Sequence, residues 1–408
     1  MEPRTRSWAK TDVGQERKHN EDMFLVDAEL GLYIVADGMG GHAAGEVASR
    51  MTVDTVRRIV DEGRPILEGF LAGEEGIGRA DVLRLLESSV QQACSVVHSA
   101  GDRDEEKRGM GTTVDVLLLV GTRGFIAHVG DSRVYLCRQG SVHQLTEDHS
   151  LINELLRRGR LTPEQAERVQ FRNAVTRAVG VYPTVEVDVI DFDVLPGDRF
   201  LLCSDGLHEY LEESETRGFL ENADEARVVD TLIDHANGRG GKDNITAVFV
   251  RIPASETGID RLTEEVNLKL EVLHRMPLFR FLTYRELVSL LNYTDVRRFE
   301  VGQRVCEEGE QGDELYVVLE GSVRVQTGTT ILSDLGSGEH FGELSLVDRA
   351  PRSATVVAQE QTQVLVLTRK NFFDLIRRDH ELAVKLLWSF LGVLSSRFRS
   401  ATQELGQV

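Results

Sequence analysis

The amino-acid sequence predicts an α+β protein in two parts: an antiparallel β-sandwich flanked by helices, then a small antiparallel β-barrel or jelly roll with flanking helices. Short apolar runs bounded by Gly and Asp recur between residues 22 and 252, which is typical of strands. Helices do not alternate strictly with these runs, which disfavours a doubly wound parallel sheet. Beyond residue 276, closely spaced glycines interrupt further apolar runs and indicate the turns of a small barrel.

Seven runs of the first part are predicted strands, and several of them end on an acidic residue. They are MFLVDA, LYIVADG, TVDVLLLVG, GFIAHVGDS, RVYLCR, DRFLLCSDG and NITAVFVRI. Two stretches between the second and third runs, at about 42–60 and 79–99, have apolar residues three and four positions apart. This spacing predicts two amphipathic helices.

The composition restricts the class of protein. The 408 residues carry 47 Lys and Arg against 67 Asp and Glu, a formal net charge of −20, which argues against nonspecific binding to nucleic acid or to an anionic membrane surface. The four cysteines form no Cys-x-x-Cys pair, so a disulfide scaffold and a thiolate zinc site are not expected. We find no apolar signal peptide and no apolar run of ~18 residues. We therefore expect a cytoplasmic protein that binds neither nucleic acid nor membranes.

Breaks in the pattern divide the chain into a domain over residues 1–253, a helical connector over 254–275 and a second domain over 276–408. Pro253 begins a short polar break, and Met276-Pro277 ends the predicted connector helix. One apolar stripe runs along this helix and can pack on either domain or on a second copy of the chain, which would give a homodimer. Its members are Leu262, Val266, Leu270 and Leu273.

Four aspartates stand at the ends of predicted strands: Asp37, Asp131, Asp205 and Asp243. If they converge on one edge of a sheet, their carboxylates repel one another unless cations lie between them. Oxygen ligands without His or Cys favour Mg²⁺ or Mn²⁺, and two such ions can activate a water for attack on a phosphate. The alternative is that each aspartate caps a turn beside a glycine. Four strand-end cases together favour the metal site.

A dinucleotide-binding loop is the competing interpretation of the first of these positions. The segment from Gly38 to Ala43 follows a predicted strand and matches the GxGxxA pattern. Asp37 would place its negative charge where a pyrophosphate must approach, and the parallel strand required after the helix is missing. We therefore reject this interpretation.

Six motifs, in order along residues 10–252, resemble those of the metal-dependent protein serine/threonine phosphatase family (PPM, type 2C). They are RKHNED from Arg17, DGMGGH from Asp37, GTT from Gly111, GDSR from Gly130, SDG from Ser204 and KDN from Lys242. The resemblance implies two antiparallel sheets with helices outside. It also implies hydrolysis of phosphoserine and phosphothreonine in phosphoprotein substrates, without a covalent enzyme intermediate.

The same resemblance implies a set of ligands for Mn²⁺ or Mg²⁺. Asp37 would bridge two ions, and the carbonyl of Gly38 would bind one of them. Asp205 and Asp243 would complete the site of the second ion. Asp131 resembles the ligand of a third, looser ion in bacterial members.

Further roles follow from the resemblance for residues that do not bind metal directly. Glu21 and Asp22 would act through metal-bound waters, and the planar fork of Arg17 would hold the substrate phosphate. Met39 stands where many eukaryotic relatives have a histidine, so His42 is the nearest candidate for the general acid. The alternative is that His42 is an ordinary residue at a helix N-terminus.

The second domain contains a candidate anion site in FGELSLVDRAPRSATV, from Phe341. Gly342 allows close backbone approach, Arg352 adds a positive charge, and Glu343 can accept a hydrogen bond from a ribose hydroxyl. With EEGEQGDELYVVLEGSVRV, this stretch resembles the cyclic nucleotide-binding domains of cAMP-dependent protein kinase and the catabolite activator protein. The resemblance implies Glu343 on the ribose, Arg352 on the cyclic phosphate, and Gly342, Leu344 and Ser353 around that phosphate. The alternative is a turn with a surface Glu–Arg pair.

These observations together predict a protein phosphatase regulated by cAMP or, less favoured, cGMP. Two alternatives stay open at this point. The barrel can be a docking or dimerisation module without a ligand, or the whole chain can be a catalytically idle scaffold that binds phosphoproteins.

Overall fold

The structure is a computed structural model, and it describes residues 5–40, 44–166, 169, 174–222, 224–254 and 261–405. Contacts divide the chain into two compact units, Met1–Ile259 and Asp260–Val408. The predicted fold class is confirmed in both units. No helix in the described part of the chain is long and apolar enough to span a membrane.

The first unit contains two antiparallel sheets. One has the strand order β1-β11-β10-β7-β8, and the other has the order β2-β3-β5-β6-β9 with β4 paired to β3. The strands are β1 Arg6–Asp12, β2 Asp22–Asp27, β3 Leu32–Met39, β4 Gly111–Thr112, β5 Val114–Val120, β6 Arg123–Val129, β7 Arg133–Arg138, β8 Ser141–Gln144, β9 Asp188–Asp193, β10 Arg199–Cys203 and β11 Ile245–Arg251.

Successive side chains of a strand point to opposite faces of the sheet, and in this unit both faces of each sheet are buried. Leu32 and Ile34 of β3 pack with helices on one face, and Leu201 and Phe249 pack with helices on the outer face of the other sheet. The intervening residues of these strands are also fully buried, as expected for two sheets packed face to face with helices outside. The helices are α1 Ala44–Glu62, α2 Arg64–Ala72, α3 Arg79–Arg103, α4 Leu151–Arg157, α5 Pro163–Ala166, α6 Asp205–His208, α7 Glu213–Leu220 and α8 Val228–Gly238.

The second unit contains two four-stranded antiparallel sheets, with strand orders β12-β19-β14-β17 and β13-β18-β15-β16. Tyr316, Val323, Phe341 and Val364 belong to the apolar core that the sheets share. The strands are β12 Thr294–Phe299, β13 Arg304–Cys306, β14 Glu314–Glu320, β15 Val323–Thr327, β16 Thr330–Leu335, β17 His340–Phe341, β18 Thr355–Ala358 and β19 Thr362–Thr368. The helices are α9 Arg261–Arg275, α10 Tyr284–Leu291, α11 Leu344–Val347, α12 Arg369–Arg378 and α13 His380–Leu405.

The predicted connector helix forms as α9 and belongs to the second unit. It contacts α10 and β14, and Val266, Leu270 and Leu273 of its apolar stripe are buried. These three side chains therefore pack inside their own unit. The sequence left open whether this helix packs on the first domain, on the second domain or on a second copy of the chain. The structure shows packing on the second domain.

The Arg138–Asp198 ion pair is deeply buried in the sandwich. Two guanidinium nitrogens of Arg138 donate to the two oxygens of Asp198 at 2.8 and 2.6 Å, and the side chains are 6% and 2% exposed. Arg138→Ala would leave the Asp198 carboxylate buried without its cation. We expect the free energy of unfolding, measured by urea denaturation, to fall by about 3–5 kcal/mol.

The matched control is Arg58→Ala in the exposed Arg58–Glu62 pair of α1. An exposed pair contributes about 0.2–1 kcal/mol, so this variant should unfold close to the wild type. Equal losses in the two variants would contradict the argument from burial.

Candidate functional sites

The predicted acidic residues meet at one edge of the sandwich. Asp37 lies near the end of β3 and Asp205 is the first residue of α6, immediately after β10 and Ser204. Asp131 follows β6, and Asp243 precedes β11. Asp22 opens β2 and pairs with Asp37 across the β2–β3 ladder. Strand ends separated by two hundred positions in sequence therefore bring five carboxyl groups into one cluster.

The cluster raises the pKa values of its own members. Burial, followed by the charges of Asp22, Asp205 and Asp131, holds the pKa of Asp37 well above its usual value. Burial raises the pKa of Asp22 to about 7 although Thr246 and Ser204 donate hydrogen bonds to its carboxylate. Burial and the neighbouring Asp205 raise the pKa of Asp131 to about 7, and burial with Asp243 raises that of Asp205 to about 6. These carboxylates lack compensating positive charge.

Two orphaned oxygens show that the cluster fits divalent cations. Asp22 Oδ1 and Asp205 Oδ1 are buried and have no hydrogen-bond partner within the described residues, and a buried charge of this kind is costly unless it is paired or binds a metal. Carboxylate and carbonyl oxygens are the ligands that Mg²⁺ and Mn²⁺ prefer. Among the described residues, no three Asp, Glu, His or Cys side chains form a ready-made metal cage. Instead, the carboxyl groups of Asp37 and Asp205 lie against each other, and each affects the pKa of the other.

Backbone geometry at the cluster requires two glycines and a pair of threonines. A Cβ on Gly38 would lie 2.2 Å from the Gly45 carbonyl oxygen, and one on Gly206 would lie 2.1 Å from that of Asn244. Thr112 Oγ1 donates to the Asp37 carbonyl at 2.8 Å, and Thr113 Oγ1 accepts from the Asp37 amide at 3.0 Å. The GTT and SDG motifs thus fix the backbone that carries two of the carboxylates.

Arg17 lies beside the cluster and is half-exposed. Its Nη2 donates to Asp243 Oδ2 at 2.6 Å. Glu21 is also close, and burial raises the pKa of its carboxyl group. The structure thus brings together every predicted metal-site residue and Arg17, whereas His42, the candidate general acid, lies outside the described residues.

The sequence prediction missed the donors that surround Asp22 and the amide that fixes the loop before it. Ser204 Oγ and Thr246 Oγ1 donate to Asp22 Oδ2 at 2.8 and 2.6 Å. Asn244 Oδ1 accepts from the Glu21 amide at 2.8 Å. Ser204 and Asn244 stand inside the SDG and KDN motifs, so their position was a usable signal. Thr246 carried none, because a threonine in a strand is common.

His149 supports the turn that carries Asp131 and gives the first unit a pH-dependent element. Its Nδ1 accepts from the Gly130 amide at 3.1 Å, which requires that nitrogen to be unprotonated. Burial, assisted by the charges of His128 and Arg177, lowers the pKa of His149 to about 4. The unfolded chain therefore binds more protons than the native protein between about pH 4 and pH 6.5.

We expect His149 to lower the stability of the wild type in acid. Relative to His149→Gln, the wild type should lose about 2–3 kcal/mol of unfolding free energy between pH 7 and pH 4.5. Urea denaturation of both proteins in EDTA measures this difference, because the aspartate cluster is common to both. Parallel pH profiles would contradict the buried, neutral state of His149.

The second unit contains a buried cation at the predicted anion site. Arg352 is 9% exposed, and its guanidinium donates to Ser345 Oγ and to the Glu314 carbonyl, each at 3.0 Å. It also lies over the Tyr316 ring at 5.3 Å. These hydrogen-bonding partners are neutral. The carboxylate of Glu314 also interacts with the charge of Arg352, but it is already paired with Arg297. A buried guanidinium without a carboxylate of its own is suited to an anionic ligand.

The other predicted residues of this site differ in how deeply they are buried and in how close they lie to Arg352. Gly342 has a φ of +78°, and a Cβ there would lie 2.4 Å from Arg352 Nη1, so only glycine allows this close approach. Glu343 is 2% exposed and Leu344 is 47% exposed. Ser353 is exposed, and its carbonyl accepts from Thr327 Oγ1 at 3.4 Å. The buried Glu343 and Arg352 contradict the alternative of a surface Glu–Arg pair.

A carboxylate cluster beside an arginine, at one edge of two packed antiparallel sheets, defines a metal-dependent hydrolase of phosphate esters. Residues 14–248 match the family model described as protein phosphatase 2C. The chain therefore belongs to the protein phosphatase 2C family. Residues 296–379 match the model of the cyclic nucleotide-binding domain.

Named relatives agree with this assignment. The chain is 39% identical to protein phosphatase PhpP of Streptococcus pneumoniae, over 59% of this chain and 94% of the relative. It is 36% identical to the serine/threonine phosphatase stp of Listeria monocytogenes, over 62% and 97%. The crystal structure of the Mycobacterium tuberculosis phosphatase PstP/Ppp superimposes with a TM-score of 0.54 at 34% identity, over 61% of this chain and 99% of that one. The protein is a serine/threonine phosphatase.

A further PstP structure shows the metal that a member of the family binds. The catalytic domain of PstP in complex with two manganese ions matches with a TM-score of 0.53 at 33% identity, over 61% of this chain and 98% of that chain. The comparison supports manganese as a metal of this family.

Proposed function

We propose that the chain removes phosphate from phosphoserine and phosphothreonine of proteins at the aspartate cluster, and that a cyclic nucleotide bound by the second unit regulates this reaction. Asp37, the Gly38 carbonyl, Asp205 and Asp243 would hold two Mn²⁺ or Mg²⁺ ions, with Asp131 as a ligand of a third. Glu21 and Asp22 would act through waters. When bound, such ions supply a nucleophile from water at neutral pH and stabilise charge on phosphate oxygens. The orphaned oxygens of Asp22 and Asp205 are the observation that carries this proposal.

Arg17 would bind the phosphate of the substrate through its planar fork of donors. In the structure it pairs with Asp243, so a substrate phosphate must compete with this carboxylate. Positive charge at the cluster would weaken the hold of Asp243 on Arg17 and release the guanidinium toward the substrate. His42 would give a proton to the leaving serine or threonine oxygen, because a free alkoxide is a poor leaving group at neutral pH.

The second unit supports a binding site for a cyclic nucleotide through Arg352. The cyclic phosphate would supply the negative charge that this buried guanidinium lacks, and Gly342 leaves the space for its approach. Glu343 is buried in the same turn, where its carboxylate would accept a hydrogen bond from the ribose 2′-hydroxyl. The serine at position 353 mildly favours cAMP over cGMP.

A phosphatase assay on a phosphoserine peptide, with Mn²⁺ or Mg²⁺ and with or without each cyclic nucleotide, tests both halves of the proposal. We expect hydrolysis that EDTA abolishes. We also expect cAMP to change kcat/KM by about 5–150-fold, the usual range of coupling between two sites.

Each alternative has its own outcome in this assay and in calorimetry. If the protein hydrolyses no phosphopeptide either with or without added metal, the result would favour a catalytically idle scaffold. Hydrolysis that no nucleotide changes, together with no heat on titration with cAMP or cGMP, would favour a barrel that docks or dimerises without a ligand. A shift in oligomeric state on adding cAMP would identify assembly as the means of regulation.

A further inference from the structure

A second cationic site of the second unit adjoins the nucleotide residues at Gly312, where a Cβ would lie 2.3 Å from Arg352 Nε. A cavity of about 740 Å³ opens between α12 and the loops that precede β14 and follow α11. Four cations line it, Arg349, Arg369, Lys370 and Arg377, against the carboxylates of Asp313 and Asp374. The lining includes none of the residues predicted to bind the cyclic nucleotide. A local excess of positive charge in a chain of net charge −20 requires an explanation.

The counter-charges within the cavity do not neutralise these cations. Arg377 Nη1 lies 3.7 Å from Asp374 Oδ1, which is a loose pair. Arg369 Nη1 donates to the carbonyls of Leu346 and Ser345 at 2.5 and 3.3 Å, so it is held in place by neutral oxygens.

Two cations of the cavity are free to bind an external group. Arg349 and Lys370 are exposed, and neither makes a hydrogen bond or an ion pair with any described residue. Arg369 is fixed by its carbonyl contacts, and its guanidinium lies 4.9 Å from the centre of the Phe373 ring. The cavity therefore combines one fixed cation, two uncommitted cations and an aromatic ring.

We propose that this cavity binds a nucleotide-sized polyphosphate anion, such as a nucleoside triphosphate. Its volume lies within the roughly 300–1,000 Å³ of small-molecule sites and is far larger than a single phosphate needs. Several converging cations favour a chain of phosphates over a monoanion, because each phosphate oxygen can accept a charge-assisted hydrogen bond. Phe373 offers an apolar surface for a base. The site would allow the phosphatase to respond to a second ligand besides the cyclic nucleotide.

Calorimetric titration of the full chain tests the proposal. The probes are ATP, pyrophosphate and inorganic phosphate, in EDTA and with cAMP at saturation so that the cyclic nucleotide site is blocked. We expect ATP and pyrophosphate to bind more tightly than phosphate, and salt to weaken their binding by screening. In the double variant Arg349→Gln/Lys370→Gln the dissociation constants should rise about tenfold or more.

The matched control is Arg298→Gln, which removes an exposed cation of β12 that does not line the cavity. It should bind ATP as the wild type does, and urea denaturation should show that all variants remain folded. The proposal is wrong if cAMP displaces ATP or if the double variant binds ATP and pyrophosphate like the wild type. It is equally wrong if neither probe binds while polyglutamate does, because the cavity would then be a docking site for acidic peptide.

Discussion

Asp37→Asn is expected to lower the kcat of phosphopeptide hydrolysis by at least about a thousandfold, because metal ions in such sites contribute several kcal/mol of transition-state stabilisation. Burial and the charges of the surrounding acids hold the pKa of Asp37 well above its usual value. Asparagine keeps the shape of the side chain and removes its charge. The measurement is the rate with Mn²⁺ at saturating phosphopeptide.

The same substitution should leave the metal-free protein as stable as the wild type or more stable. In EDTA it removes one of several buried carboxylates that repel one another. In Mn²⁺ only the wild type should gain stability, since binding to the native state shifts the unfolding equilibrium. Low activity therefore cannot be attributed to unfolding.

Asp54→Asn, on the exposed side of α1, is the control for charge alone and should behave as the wild type in every measurement. An Asp37→Asn protein that keeps wild-type kcat, or that is stabilised by Mn²⁺ as the wild type is, would remove Asp37 from the metal site. The proposed ligand set would then fail at its central member.

Arg352→Gln is expected to weaken cAMP binding by about 30-fold or more, since truncating one partner of a buried charge pair costs about 2–5 kcal/mol. Arg352 is nine-tenths buried and donates its hydrogen bonds to neutral oxygens, so the anion would be the carboxylate-like partner that these hydrogen bonds do not supply. Calorimetric titration of the full chain with cAMP measures the loss.

Phosphatase activity without nucleotide should be unchanged by Arg352→Gln, because this arginine belongs to the second unit. The response of activity to cAMP should disappear. Arg324→Gln, in the exposed Arg324–Asp334 pair of the barrel, should keep both binding and response. Wild-type cAMP affinity in Arg352→Gln would place the nucleotide elsewhere or leave the barrel without one.

Most strands of the sandwich were predictable from the sequence, and the elements that were missed were missed for different reasons. All seven predicted runs contain strands of the structure. β1 was missed because RSWAKTD has no apolar alternation, and its extended state depends on pairing with β11 along its whole length. β9 was also missed, although VDVIDFDV alternates apolar and acidic residues and carried the signal. The short helix α2, which has Pro65 in its first turn, was missed as well.

The acidic site was predictable as a set of residues and unpredictable as an electrostatic arrangement. Aspartates at strand ends beside glycines could be listed from the sequence. The donors on Asp22 and the pairing of Arg17 with Asp243 join residues more than 180 positions apart, and the mutual repulsion of the aspartates joins ends of different strands. No local pattern encodes such contacts, because they depend on which strand ends share an edge.

Residue types and their order were sufficient to indicate two sheet-rich units, the phosphatase motifs and the nucleotide motif, since propensity, turn chemistry and motif spacing are local properties of the chain. The folded structure alone decided which charges lack a paired counter-charge among the described residues: the oxygens Asp22 Oδ1 and Asp205 Oδ1, the guanidinium of Arg352, and Arg349 and Lys370 of the α12 cavity. Whether a charge is compensated depends on burial and on distant neighbours. The physical reason is that the cost of desolvating a charge depends on where the folded chain places it, and its neighbours there are distant in sequence.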